Sequence, residues 1–135
     1  MRISACYIVK DEAEELRRSF ASVRAAVDEI IVVSTAGSSA VRDVCAAFSA
    51  EVHDFAWVND FSLARNKALQ YVTGNIVIFL DADEYFLHPN KVRQAITEIA
   101  HGHIQWDIVM VGLYSYRSTR GQDADYERSP RIFRM

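Results

Sequence analysis

Asp81 and Asp83 stand two residues apart, directly after Ile76-Val77-Ile78-Phe79-Leu80, a run without a polar side chain. If that run is a strand and the triplet continues it, the two carboxylates project to the same side at the strand's end. Hard oxygen donors so placed suit Mg2+ or Mn2+, ions that commonly take one or two carboxylates and complete their shell with substrate phosphates. Glu84 either tunes such a site from behind its ligands or is simply exposed. The plain alternative for any D-x-D triplet is a solvated acidic turn; its position after an apolar strand raises the metal reading to equal footing.

A second chemical feature is an arginine on an apolar face. The segment from Asp60 to Val72 is expected to be helical, and at about 100° per residue Phe61, Ala64, Ala68, Tyr71 and Val72 share one arc. Arg65 falls inside that arc. A guanidinium facing a core costs several kcal/mol unless it is paired or reaches a polar cleft. Either its stem packs and its head reaches out at the helix end, or it is a planar donor aimed at a cleft, where it could bond a diphosphate or a base edge. Lys67 reads as a solvated charge.

The elements that must position these residues alternate. Ile3 to Val9 reads as a strand, Glu12 to Ala26 as a helix with Asp11 as its N-cap and a Glu14–Arg18 pair, and Asp28 to Val33 as a second strand. A helix presenting Val41, Val44, Cys45 and Phe48 follows, then a short strand from Glu51 to Phe55. After the strand at Ile76–Leu80, Asn90 is expected to cap a helix, Trp106 to Leu113 to form a fifth strand, and Ile132–Phe133 to begin another. The predicted class is α/β, a mostly parallel sheet with helices on both faces, which binds ligands beyond the carboxyl ends of its strands. The loops after Val9, Val33 and Leu80 then share one edge.

Bulk composition fits one domain of 135 residues, half of them apolar. A formal charge of -3 and a pI near 5.8 give no electrostatic reason for a nucleic-acid partner. No apolar run approaches the roughly 20 residues that span a bilayer, and Met1 to Lys10 lacks a signal-peptide layout, so a cytoplasmic setting is expected, with the inner face of the membrane as an option. Cys6 and Cys45 read as buried free thiols. His101-Gly102-His103 reads as a loop, His53 and His88 as structural or exposed, and Trp57 and Trp106 as packed. Tyr85 or Phe86 could flank a ligand or pack. Arg117, Arg120, Arg128, Arg131 and Arg134 could meet a phosphate, but interleaved with Asp123, Asp125 and Glu127 they read better as a solvated flexible segment.

Three blocks together resemble family 2 glycosyltransferases, in particular the subgroup of lipopolysaccharide core glucosyltransferases and bacteriocin S-glycosyltransferases. They are Ile3-Ser4-Ala5-Cys6-Tyr7-Ile8-Val9-Lys10-Asp11-Glu12, Asn59-Asp60-Phe61-Ser62-Leu63-Ala64-Arg65-Asn66 and Phe79-Leu80-Asp81-Ala82-Asp83-Glu84. The resemblance implies a GT-A (Rossmann-like) fold, a nucleotide-sugar donor of the UDP-sugar kind, Mn2+ or Mg2+, and inversion at the anomeric carbon. It implies that Ile8, Lys10 and Glu12 border the base, Arg65 contacts the nucleotide, Asp81 meets the ribose or the metal, and Asp83 meets the metal. In such a transfer the leaving group is a nucleoside diphosphate, whose developing charge a metal stabilises. Cell-envelope polysaccharide synthesis is the implied setting, with a saccharide, lipid-linked or peptide acceptor and an open oligomeric state. Arg131-Ile132-Phe133-Arg134 resembles a further segment of the family on the donor-diphosphate side.

Two departures qualify the resemblance. Where the family carries an Asp after the second strand to accept the uracil N3–H, this chain has Ser34, and Ala40 replaces a second Asp, with Ala36 as an apparent insertion. A serine accepts such a bond without charge and with shorter reach. The chain also stops at Met135, before the family's acceptor-binding half, so the expectation is a single nucleotide-sugar-binding domain over residues 1–135, truncated, with no assignable catalytic base. The alternative is a non-catalytic nucleotide-sugar-binding module of the same fold. A sugar nucleotidyltransferase is disfavoured, because Val9-Lys10-Asp11-Glu12 lacks the glycines of a phosphate loop.

Overall fold

In the computed structural model, which describes residues 1–102, 105–115 and 125–135, the apolar runs pair into one six-stranded sheet. The strands are β1 (Ile3–Val9), β2 (Glu29–Ser34), β3 (Glu51–Asp54), β4 (Ile76–Leu80), β5 (Ile108–Ser115) and β6 (Asp125–Arg134). Their order is β3-β2-β1-β4-β6-β5. The first four are mutually parallel, while β6 runs antiparallel to both β4 and β5. Helices α1 (Ala13–Val23), α2 (Ser39–Ala47), α3 (Phe61–Leu69) and α4 (Pro89–His101) complete the α/β architecture.

Strand alternation divides the core between the two faces. Ile3, Ala5, Tyr7 and Val9 of β1 join Leu16, Phe20 and Val23 of α1, Val41, Val44 and Cys45 of α2, and Ile96 of α4. On the other face Cys6, Ile31, Val33 and Val77 pack against Ala68 of α3. Central strands buried on both sides explain the near-absence of polar alternation in β1, β2 and β4. Both cysteines are buried and free, and burial pushes the Cys6 thiol up to about 12 and that of Cys45 to about 11.

Several local expectations are corrected. Glu12, not Asp11, stands at the start of α1; its carboxylate turns back and accepts the Lys10 and Asp11 N–H groups at 2.9 and 3.1 Å. The surface pair on α1 is Glu14–Arg17, spaced i,i+3, rather than Glu14–Arg18. α4 begins with Pro89 behind His88 instead of with Asn90 as cap, because proline's fixed φ and missing N–H suit a first helical turn. The C-terminal arginines Arg128, Arg131 and Arg134 lie in β6, not in a solvated flexible segment: ladder bonds on both sides hold this charged strand, and Ile132 gives it a buried anchor. Arg117, Arg120, Asp123 and His103 lie outside the described residues.

At the amino ends of the strands a carboxylate ties three elements together. Glu29 accepts from Ser4 Oγ at 2.6 Å, Thr73 N at 2.7 Å, Thr73 Oγ1 at 2.6 Å and Arg2 Nη2 at 3.0 Å. Gly74 completes the junction: a Cβ there would lie 2.3 Å from Ser4 Oγ and 2.7 Å from the Arg2 carbonyl, so only glycine fits. Burial raises the Glu29 pKa, but these hydrogen bonds outweigh it and bring the group down to about 2. A folded pKa below the unfolded value near 4.5 gives stability that is complete above that value and is lost as pH falls towards 2. The expected contribution is on the order of 2 kcal/mol. In urea unfolding, Glu29→Gln should lie below the unaltered protein at about pH 6, and the gap should narrow steadily as pH falls from about 4.5 to 2; a constant gap across that window would refute the assignment.

Candidate functional site

The carboxyl ends of β1 and β4 and the first turns of α3 enclose a cleft of about 220 Å³, lined by Ile8, Phe61, Arg65, Phe79, Leu80, Asp81 and Arg131. Asp60 caps α3, its Oδ1 accepting from Ser62 N at 2.8 Å and Leu63 N at 3.2 Å. That cap fixes the helix's starting direction, and with it the side chains of Phe61 and Arg65. Asn59, just before the cap, has φ +57°, a left-handed conformation that asparagine tolerates better than most residues.

Only Ala64 and Ala68 of α3 are buried, so its apolar arc is narrower than the sequence indicates: Phe61 is 61% exposed. Trp57, expected to pack, is 40% exposed and meets Phe61 edge-on at 4.7 Å. The anomaly of Arg65 is thereby resolved. Its guanidinium is not in the core but stands over the Phe79 ring, 5.9 Å from the centroid, in the wall of the cleft.

The acidic residues leave the strand in a turn, not in extended geometry, closed by Glu84 N–H donating to the Asp81 carbonyl at 3.0 Å. Asp81 and Asp83 are both exposed at the sheet's carboxyl edge, while Ala82 is buried. Glu84 is drawn inward. Its Oε2 accepts from Asp81 N at 2.9 Å, and its Oε1 accepts from Arg131 Nη2 at 2.6 Å. The same Arg131 nitrogen is 3.6 Å from Asp81 Oδ2. β6 thus delivers a cation to the turn that ends β4.

A hydroxyl chain anchors the turn from the other face. Ser19 of α1 donates to the Glu84 carbonyl, which leaves its oxygen to accept from the buried Tyr7 hydroxyl at 2.7 Å. Burial chiefly, opposed by the Ser19 bond, pushes the Tyr7 pKa up, so this phenol stays protonated as the donor. Ser22 accepts from Phe86 N at 3.0 Å and donates to the Ser19 carbonyl at 2.8 Å. Phe86 packs on the core while Tyr85 is exposed, so Tyr85 is the one of the two facing outward beside the turn.

The structure brings Ile8, Arg65 and Asp81 together in the cleft wall and adds Arg131. Lys10 and Asp83 stand exposed at the same edge without lining the cleft, and Glu12 is engaged in holding the β1–α1 loop. Ser34 is buried at the end of β2, on the face opposite the one that Val33 shares with α3, and no partner for its hydroxyl is found among the described residues. It does not line the cleft. The donor chemistry available for a divalent ion is two exposed carboxylates on one turn, which suits an ion completed by phosphate oxygens. Among the described residues no cluster of three acidic, histidine or cysteine side chains forms a closed cage.

Residues 4–134 match the sequence model of Glycosyl transferase family 2. The chain belongs to this family. Among curated relatives, a TPR repeat-containing protein of Synechococcus elongatus is 35% identical over 133 residues, 98% of this chain and 32% of that protein. The SPbeta prophage-derived glycosyltransferase SunS of Bacillus subtilis is 33% identical over 95 residues, 69% of this chain and 22% of SunS. The chain spans about a third or less of the length of these relatives. Among solved structures, S. aureus TarS superposes with a TM-score of 0.67 at 18% identity, covering 80% of this chain and 21% of TarS. Glucosyl-3-phosphoglycerate synthase from Mycobacterium tuberculosis, solved with Mn2+ and UDP-glucose, gives 0.61 at 21% identity, over 76% of this chain and 40% of the other. The sheet is accordingly the GT-A type of this glycosyltransferase family.

Family membership alone does not explain how the acidic turn is held. Ser19, Ser22 and Tyr7 were not singled out in the sequence, although one signal was present: Ser19 shares the helical face of Leu16, Phe20 and Val23, and a hydroxyl inside an apolar stripe needs a partner.

Proposed function

We propose that this chain is the donor-binding domain of an inverting, metal-dependent glycosyltransferase, taking a nucleoside-diphosphate sugar that is UDP-linked. The observation that carries the reading is the convergence of Arg65, Arg131 and Asp81 on one cleft at the carboxyl edge of the sheet. Two guanidiniums and a metal-ligating carboxylate are the groups that a diphosphate with its divalent ion requires. Asp81 and Asp83 would hold the Mn2+ or Mg2+. When bound, the ion neutralises charge on the departing diphosphate.

The chain's own residues bind and orient. Phe79 and Phe61 give the cleft an apolar wall on which a base or ribose can lie, and Arg65, held over Phe79, presents a planar donor to it. Arg131 faces the diphosphate side beside Asp81. Ser19 and Ser22 keep the turn at a fixed height above β4. Donor binding by residues 1–135 is the extent of the proposal for this chain; the acceptor hydroxyl's base is not assigned to it. A cytoplasmic setting at the inner membrane face and a role in cell-envelope polysaccharide synthesis accompany this reading. No helix among the described residues is long and apolar enough to cross a membrane.

Ser34 favours a second reading, a nucleotide-sugar-binding module without transfer, because an uncharged, buried hydroxyl stands in place of the family's base-reading aspartate. Comparing UDP with uridine by calorimetry in Mn2+ tests the donor-site reading, which expects the diphosphate to supply most of the affinity. Arg65→Ala should weaken UDP about tenfold, the loss of one charge-assisted contact, with Arg65→Lys recovering part of it. Equal binding of uridine and UDP would reject the site. Sugar transfer or donor hydrolysis catalysed by the protein would dismiss the non-catalytic module.

A further inference from the structure

The Arg131 guanidinium is pinned rather than free to swing. It is only 14% exposed, its Nη2 bonds Glu84 Oε1 at 2.6 Å, and Glu84 is itself held by the Asp81 N–H through its other oxygen and by Ser19 through its carbonyl. From this fixed position Nη2 stands 3.6 Å from Oδ2 of Asp81, whose side chain is 68% exposed. A cation held within contact distance of a carboxylate competes with any other cation for it, and a mostly desolvated one is poorly screened by solvent or salt.

We propose that Arg131 is a built-in counter-ion that opposes a divalent ion at Asp81 until a diphosphate is present. Alone, the metal meets the guanidinium as a like charge across a few ångströms. A diphosphate reverses the sign: its oxygens ligate the ion and accept from the same guanidinium, so nucleotide and metal each raise the other's affinity by the same factor. Glu84 is the residue that sets the balance, because it shares the guanidinium with Asp81. The nucleotide half of this inference rests on the proposed donor site, whereas the metal half concerns only Asp81, Glu84 and Arg131.

The test measures Mn2+ binding by the loss of the free-ion electron paramagnetic resonance signal, at fixed ionic strength, without and with UDP. Arg131→Gln should bind Mn2+ alone about tenfold more tightly, yet bind UDP in Mn2+ about tenfold more weakly. Arg131→Lys should keep most of the suppression, since the charge remains. Glu84→Gln should move Mn2+ alone in the opposite direction to Arg131→Gln, because Glu84 then no longer draws charge from the guanidinium that faces Asp81; a purely structural bridge would shift both variants the same way. If Arg131→Gln fails to fold, Arg131→Lys and Glu84→Gln still carry the test. Unchanged or weaker Mn2+ binding by a folded Arg131→Gln, or a parallel shift in Glu84→Gln, overturns the proposal. Tighter Mn2+ binding by Arg131→Gln in a protein that does not bind UDP would support the counter-ion while rejecting the donor site.

Discussion

Asp83→Ala is expected to weaken Mn2+-dependent binding of UDP by more than about 100-fold, because removing even a residue that only orients a metal ligand typically costs 10- to 100-fold. Asp83 is exposed on the turn beyond β4 and lies outside both core clusters, so the thermal midpoint should hardly change. That combination separates a lost ligand from a lost fold. Asp83→Asn keeps the shape and loses the charge; it should fall between the two, since a neutral amide oxygen is a weaker ligand for a hard cation. If Asp83→Ala binds UDP in Mn2+ as the unaltered protein does, the acidic turn is a solvated loop and the ion must be held elsewhere.

The second large effect is on stability. Phe20 is fully buried on α1, edge-on to Tyr7 at 5.2 Å and to Phe48 at 5.5 Å. Phe20→Ala removes the centre of that aromatic row and leaves a cavity between α1, β1 and α2, at a cost of about 3–5 kcal/mol. Against a total stability of roughly 5–15 kcal/mol, this brings the domain close to unfolding. Urea denaturation should show the lower midpoint, and a loss below about 1 kcal/mol would contradict the packing. The neighbouring residue links stability to function: Ser19 carries the hydroxyl that holds Glu84's carbonyl, so loosening α1 also loosens the acidic turn. Arg65, on α3 across the sheet, should be insulated from that change.

The parallel half of the fold was legible because its strands are buried on both faces and therefore read as unbroken apolar runs. β1 and β4 have the bounds expected from Ile3–Val9 and Ile76–Leu80. β6 was not legible. Its residues carry charges that suit a loop, and what makes it a strand is tertiary, its insertion between β4 and β5. The sequence pointed to Arg65 by the right anomaly and for a partly wrong reason: the arc it interrupts is largely exposed, and the guanidinium belongs to the cleft wall rather than to a compromised core. The acidic pair was found from its place after β4, but its turn geometry was not, since the closing bond depends on Glu84 being drawn inward by Arg131, 47 positions away. Ser34 was compared with a base-reading aspartate by its place in the chain; strand alternation puts it on the face away from the cleft.

The central claim, that Arg65, Arg131 and the Asp81–Asp83 turn form a site for a metal-bound nucleoside diphosphate, is tested most directly by titrating UDP into the protein with Mn2+ and again with EDTA. The account predicts saturable one-to-one binding in Mn2+ that is lost on chelation. No heat of binding at millimolar UDP in Mn2+, or binding that is indifferent to the metal, would contradict it.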